Sequence, residues 1–159
     1  MTESQKLQYL FDRAAITDLM VRFAVSIDTR DWARFRSCFA DRVEFDYPAT
    51  IGAVTLAADS LLEISPQFFG QLDATQHLSA NHLMEIDGDR AVCLSTLHAQ
   101  HYLAGCPGGS VQRQIGYYRT MLERLGNWRI VRSEQKVHWN EGNEEVFLQA
   151  AARVGPGTS

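Results

Sequence analysis

Imidazole is the side chain best suited to moving protons near neutral pH or to holding a transition metal. Four of the five histidines, His77, His82, His98 and His101, crowd into one stretch of the chain. That stretch reads as two strands, so alternation decides which of them work together. On the first, His77, Ser79 and Asn81 share one face, and Leu78, Ala80 and His82 share the other. On the second, His98 and His101 point to opposite sides, so at most one faces the interior unless a bulge intervenes. No HxH or HExxH spacing occurs, and metal ligation therefore ranks below histidines that are partly exposed or satisfied by hydrogen bonds. Cys38, Cys93 and Cys106 are odd in number and widely spaced. They read as free thiols, not as a disulfide framework or a CxxC site.

The elements that must position these groups follow from periodicity. From Ser4 to about Asp28, Leu7, Leu10, Phe11, Ala14, Ala15, Leu19, Phe23 and Ile27 recur at helical spacing. A second helix carries Trp32, Phe35 and Phe39 on one face behind Asp31 as its N-cap. The two meet near Thr29-Arg30, which leaves Asp28 at a helix C-terminus, where the dipole does nothing for a carboxylate. Val43 to Tyr47 alternates as a short strand ended by Pro48. Leu56 to about Phe69 reads as a third helix, its regularity limited by Pro66. Then come four long strands, His77 to Ile86, Arg90 to Leu103, Val111 to Leu125 and Trp128 to Trp139. The turns Asp87-Gly88-Asp89, Gly105 to Gly109 and Leu125-Gly126-Asn127 join them as a meander. Asn143 to Val154 adds a short helix. The fold class is α+β, N-terminal helices on one face of a strongly curved antiparallel sheet that encloses a pocket, a cone-shaped barrel. Residues 1–154 form one domain, and 155–159 a frayed tail.

Composition narrows the partners. A formal charge of −4, with both signs interspersed, gives no basic stripe to hold a phosphate backbone, so nucleic acid is not an expected ligand. No apolar run is long enough to span a bilayer, and the N-terminus has no basic region followed by an apolar one. A cytoplasmic protein without membrane partners is expected. A long sheet covered on one side leaves a broad free face, from which a homo-oligomer, dimer or trimer, is expected.

Ala14 to Leu19, Ser26-Ile27-Asp28-Thr29-Arg30-Asp31-Trp32, Glu44 to Tyr47, Thr75-Gln76-His77 and Gly126 to Ile130 occur in an order and spacing that resembles the SnoaL-like branch of the nuclear transport factor 2-like superfamily. The resemblance spans nearly the whole chain and is nearest the part that holds scytalone dehydratases, bile-acid 7α-dehydratases and hexachlorocyclohexane dehydrochlorinases. It implies a cone of helices against a curved sheet, an apolar cavity and a histidine–aspartate pair that moves protons. His77 and Asp28 match that pair. Tyr47 and His101 match a tyrosine and a second histidine of the scytalone dehydratase pocket. Two departures stand out: Ile27 where a tyrosine precedes the aspartate, and Tyr117 where a pocket asparagine aligns.

Judged without the resemblance, Asp28 fits a cap or turn residue and His77 a satisfied strand histidine. Taken with it, the pair fits a base: a carboxylate holds one imidazole nitrogen, leaves the other free, and stabilises the imidazolium that forms. With no cofactor signature, such a dyad suits removal of a proton beside an electron-withdrawing group and loss of a β leaving group. Tyr47 or His101 would assist departure or hold a developing oxyanion. The expected activity is a cofactor-independent, dehydratase-like lyase acting on a small hydrophobic, aromatic or polycyclic substrate. Tyr102, Tyr117, Tyr118, Phe68, Phe69 and Trp139 are candidate cavity walls. The superfamily also holds isomerases, polyketide cyclases and nonenzymatic proteins such as ligand binders and dioxygenase β-type subunits, and the fold alone does not choose among them.

Overall fold

The computed structural model describes residues 1–153. The last residue of the expected domain and the expected tail at 155–159 lie outside the described residues. Helix α1 (Glu3–Asp28) is continuous and opens with a reciprocal cap: the Thr2 hydroxyl accepts from the Gln5 amide while the Gln5 side chain accepts from the Thr2 amide. Its buried stripe is Ile16, Leu19, Met20, Phe23, Ala24 and Ile27, the three-and-four spacing of one helical face. Leu7, Leu10 and Phe11, read from the sequence as part of that face, are each more than half exposed, because α1 projects past the core at its start. No helix among the described residues is long and apolar enough to cross a membrane.

Helix α2 (Trp32–Arg36) begins where the Asp31 side chain accepts the Arg34 amide, but it stops short of Phe39. Phe39 instead opens strand β1 (Phe39–Tyr47), which is longer than the Val43 to Tyr47 expected. Its ring still packs on Phe35, 5.0 Å between centroids, so the apolar face read from the sequence exists across a helix–strand junction. Residues Gly52–Ala57 form strand β2 where the sequence suggested the start of a helix at Leu56. Glycine and alanine gave this segment little strand character. Pairing with β1, Phe45 opposite Val54, and packing of Val54 and Leu56 on the core decide its state. A single 3-10 turn, Ala58–Ser60, then leads into α3 (Leu61–Phe69).

The meander follows as β3 (Ala74–Asp87), β4 (Arg90–Tyr102), β5 (Val111–Leu125) and β6 (Asn127–Gly142), and α4 (Val146–Ala152) closes the described chain. The six strands run in the order β2-β1-β6-β5-β4-β3. β1 lies parallel to β6 and every other pair is antiparallel, so the sheet is mixed where an antiparallel one was expected. It is curved but open, with β2 and β3 as its edges. α1 leans on β3, and the aromatic core of Phe23, Phe35, Phe39 and Phe45 fills the concave side.

One irregularity alters the face assignments. The β3–β4 register breaks between Ala80 and Leu83, and Asn81 takes a left-handed conformation with φ 54°. Asparagine tolerates that region better than most residues, and the extra residue reverses the alternation beyond it. His82 therefore turns to the same face as His77 and Ser79, where its Nε2 lies 3.1 Å from Ser79 Oγ. The opposite orientation expected from simple alternation is thereby corrected. His98 and His101 keep theirs, His101 buried and inward.

Candidate active site

Asp28 ends α1 without help from the dipole, and three donors from β3 take its place. Its Oδ2 accepts the His77 amide at 2.8 Å; its Oδ1 accepts the Thr75 hydroxyl at 3.0 Å and faces His77 Nδ1 at 2.7 Å. Alternation on β3 sends the Thr75 and His77 side chains to the same face. Arg30 completes the arrangement. Its backbone is left-handed, φ 59°, which folds the guanidinium back under the helix end. There Nη1 donates to the Ile27 carbonyl at 2.8 Å and to Thr75 Oγ1 at 2.7 Å, and Nη2 donates to the Leu72 carbonyl. With its oxygen occupied by the arginine, the Thr75 hydroxyl directs its proton at Asp28. A chain of charge-assisted bonds thus runs from Arg30 through Thr75 and Asp28 to the imidazole.

The carboxylate partner assigns the His77 tautomer. Nδ1 carries the proton toward Asp28, and Nε2 keeps a lone pair to which no protein group is bonded among the described residues. The side chain is only 7% exposed and lines an interior cavity of about 110 Å³. Cavity walls are supplied by Phe23, Ile27 and Phe35 from the first two helices, Phe68 and Phe69 from α3 and Phe147 from α4. Among the described residues, the polar lining comes from the sheet, Tyr47, His77, His101, Gln114, Tyr118 and Gln135, apart from the single hydroxyls of Thr50 and Ser65. The volume is of the order of engineered protein cavities that take up a single benzene ring.

Three of the four residues singled out from the sequence, Tyr47, His77 and His101, line this cavity; the fourth, Asp28, does not line it and is joined to it through His77. His77 and His101 lie 5.6 Å apart between ring centroids, and Phe69 contacts both. His101 Nδ1 pairs with the Gln112 side-chain oxygen at 2.5 Å, so its proton sits there and its Nε2 is an acceptor. Burial, reinforced by the neighbouring His77, pushes its pKa down to about 4. His101 is therefore neutral at physiological pH. With its proton directed at Gln112, its Nε2 is able to accept a hydrogen bond and has no proton to donate. The Tyr47 hydroxyl lies 2.7 Å from Ser133 Oγ, and burial raises its pKa well above the usual phenol value. It stays protonated and able to donate. Tyr117, aligned with a pocket position, faces the outer side of β5. Its neighbour Tyr118 faces in, as does every second residue from Gln112 to Leu122. Of the other aromatic candidates Phe68 and Phe69 line the cavity, whereas Tyr102 and Trp139 do not.

Residues the sequence did not single out are Thr75 and Arg30 as supports, Gln112 behind His101, and Gln114 and Gln135 in the wall. The glutamines were detectable in principle. Two of them alternate on β5 in register with the inward residues of β4, Gln112 opposite His101 and Gln114 opposite Ala99.

Neutral, buried His101 has a consequence for stability. The unfolded chain binds a proton at this residue near pH 6.5, while the folded chain refuses it until about pH 4. Stability is thus intact above 6.5 and declines as pH falls through that window, by roughly 3 kcal/mol at its end. His82, whose pKa burial also lowers, acts in the same direction. Urea unfolding at pH 7.5 and pH 5 is expected to show a smaller pH loss in His101→Gln than in the parent chain. Equal losses would show that His101 is not buried as a neutral ring.

Comparison with known proteins gives a consistent picture. A protein of Kribbella flavida has the same fold with a TM-score of 0.78 and 25% identity, covering 84% of this chain and 95% of its own. A hexachlorocyclohexane dehydrochlorinase of Novosphingobium barchaimii LL02 superposes with a TM-score of 0.72 at 20% identity, over 87% of this chain and 94% of its own. A scytalone dehydratase-like protein of Novosphingobium aromaticivorans does so with a TM-score of 0.75 at 17% identity, over 86% and 90%. No curated protein matches the chain in sequence. Residues 8–134 match the SnoaL-like domain, most of the chain and the whole of the Asp28–His77 arrangement; the protein belongs to the SnoaL-like domain family.

Proposed function

We propose that the protein is a cofactor-independent lyase that performs a β-elimination on a small, single-ring hydrophobic substrate, with His77 as the base and Asp28 as the group that orients it. The observation that carries this reading is the 2.7 Å contact from Asp28 to His77 Nδ1 beside a cavity that His77 lines with its other nitrogen unbonded. His77 Nε2 takes a proton from a carbon next to an electron-withdrawing group. The released electron pair forms the new double bond, and the bond to the leaving group breaks. Asp28 holds the imidazolium, and the protonated Tyr47 hydroxyl donates a hydrogen bond to the departing hydroxide or halide. His101, neutral and presenting Nε2, accepts a hydrogen bond from the substrate. Apolar walls exclude water and strengthen these interactions. Solved relatives named as a dehydrochlorinase and a dehydratase-like protein carry the same fold, and both names denote eliminations. The reading includes a homo-oligomer in which a second copy covers the outer sheet face, where Leu78, Leu94 and Trp139 are exposed.

Incubation without cofactors with single-ring β-hydroxy and β-chloro carbonyl compounds, read by mass spectrometry, tests the reaction class. Loss of water or hydrogen chloride is expected. A product of unchanged mass that gains deuterium from heavy water would instead make the protein an isomerase using the same base.

A further inference from the structure

Three buried side-chain polar atoms have no partner among the described residues: Ser95 Oγ, Thr120 Oγ1 and Gln135 Oε1. They fall in one patch of the inner sheet face. Ser95 stands opposite Tyr118 and Tyr118 opposite Gln135 across β4, β5 and β6, with Thr120 beside them opposite Ser133. Only Gln135 of the three lines the cavity, and it is 8% exposed. Its Nε2 donates a long bond of 3.4 Å to the Tyr118 hydroxyl oxygen, while its Oε1 has nothing. The Tyr118 proton has no protein acceptor among the described residues either. A buried carbonyl oxygen left unpaired is costly, and native proteins keep such groups where a ligand or water completes them.

The two free functions, an acceptor on Gln135 of β6 and a donor on Tyr118 of β5, stand side by side in the cavity wall. A ligand hydroxyl serves both, donating to Oε1 and accepting from the tyrosine, in the place a water would otherwise take. Turning the amide over does not change this conclusion. Tyr118 then donates to Oε1, and the freed Nε2 protons need an oxygen acceptor, which a hydroxyl also offers. We propose that Gln135 and Tyr118 form a hydroxyl-recognition subsite, so that the ring entering the cavity carries a phenolic or alcoholic hydroxyl that meets this pair. The placement of the reacting carbon rests on the elimination reading; the subsite itself does not.

Calorimetric titration with 4-methylphenol, toluene and 4-methylanisole separates the two. The unaltered protein is expected to bind 4-methylphenol about tenfold more tightly than toluene, which cannot pair with the site. The methyl ether, which accepts but cannot donate, is expected to fall between them. Gln135→Met keeps the length of the side chain and should reduce the preference to less than about threefold. Tyr118→Phe keeps the ring against Phe23 and Tyr47 and serves the same purpose if the methionine variant does not fold. His77→Ala should retain the preference. Equal affinity for the phenol and toluene, no binding of the phenol, or a preference unchanged in the folded variants would overturn the subsite. Loss of the preference in His77→Ala alone would do so too, by assigning the hydroxyl to the base. A retained preference in a protein that eliminates nothing would instead sink the reaction and leave the subsite standing.

Discussion

His77→Ala is expected to lower turnover by about 10²–10⁴-fold, the usual contribution of a positioned general base, with little change in folding stability. The magnitude follows from geometry. His77 lines the cavity, its Nδ1 is committed to Asp28, and only Nε2 can meet a ligand. Among the described residues that line the cavity no second base stands ready: His101 has its Nδ1 proton on Gln112 and a pKa of about 4, too weak a base to take over. The loss should appear in kcat, because the imidazole contributes little of the cavity's apolar wall. Steady-state rates on whichever compound eliminates, set beside an unfolding curve of the same variant, check both halves. Full activity in the alanine variant would remove His77 from the chemistry.

Asp28→Asn is expected to cost about 10²–10³-fold while preserving the shape of the site. One end of the carboxamide becomes a donor. If that end faces His77 Nδ1, the imidazole must accept there, and its proton moves to Nε2, where the base should be. If instead it faces the His77 amide, the bond to that backbone N–H is lost and the strand shifts. Either arrangement also discards the charge that stabilises the imidazolium. A KM near the parent value with a depressed kcat is the signature of this role. A raised KM with kcat unchanged would place Asp28 in substrate binding.

Much of the frame was legible because it repeats. The stripe from Ile16 to Ile27 and the alternation along β4 and β5 announce their elements and their inward faces, and Asp31 announces a cap. Strand β2 was not legible, because Gly52, Ala53 and Ala57 say little and its state is imposed by β1. The orientation of His82 was hidden by one residue, Asn81, whose left-handed turn no alternation rule anticipates. The site divides in the same way. Tyr47 and His101 were placed in the pocket by resemblance and do line it, yet the role of His101 depends on Gln112 from the next strand, a contact between distant positions. Arg30 looked like part of a turn. Its reach to Thr75 and Ile27 shows that the turn itself holds the dyad.

The tautomer of His77 tests the central claim without needing a substrate. Nitrogen-15 NMR of the histidine side chains, recorded where His77 is neutral, should show its proton on Nδ1 and a bare Nε2, and the Asp28→Asn variant should lose that preference. A neutral His77 protonated at Nε2 in the unaltered protein would contradict the account, because the nitrogen facing the cavity could not then act as the base.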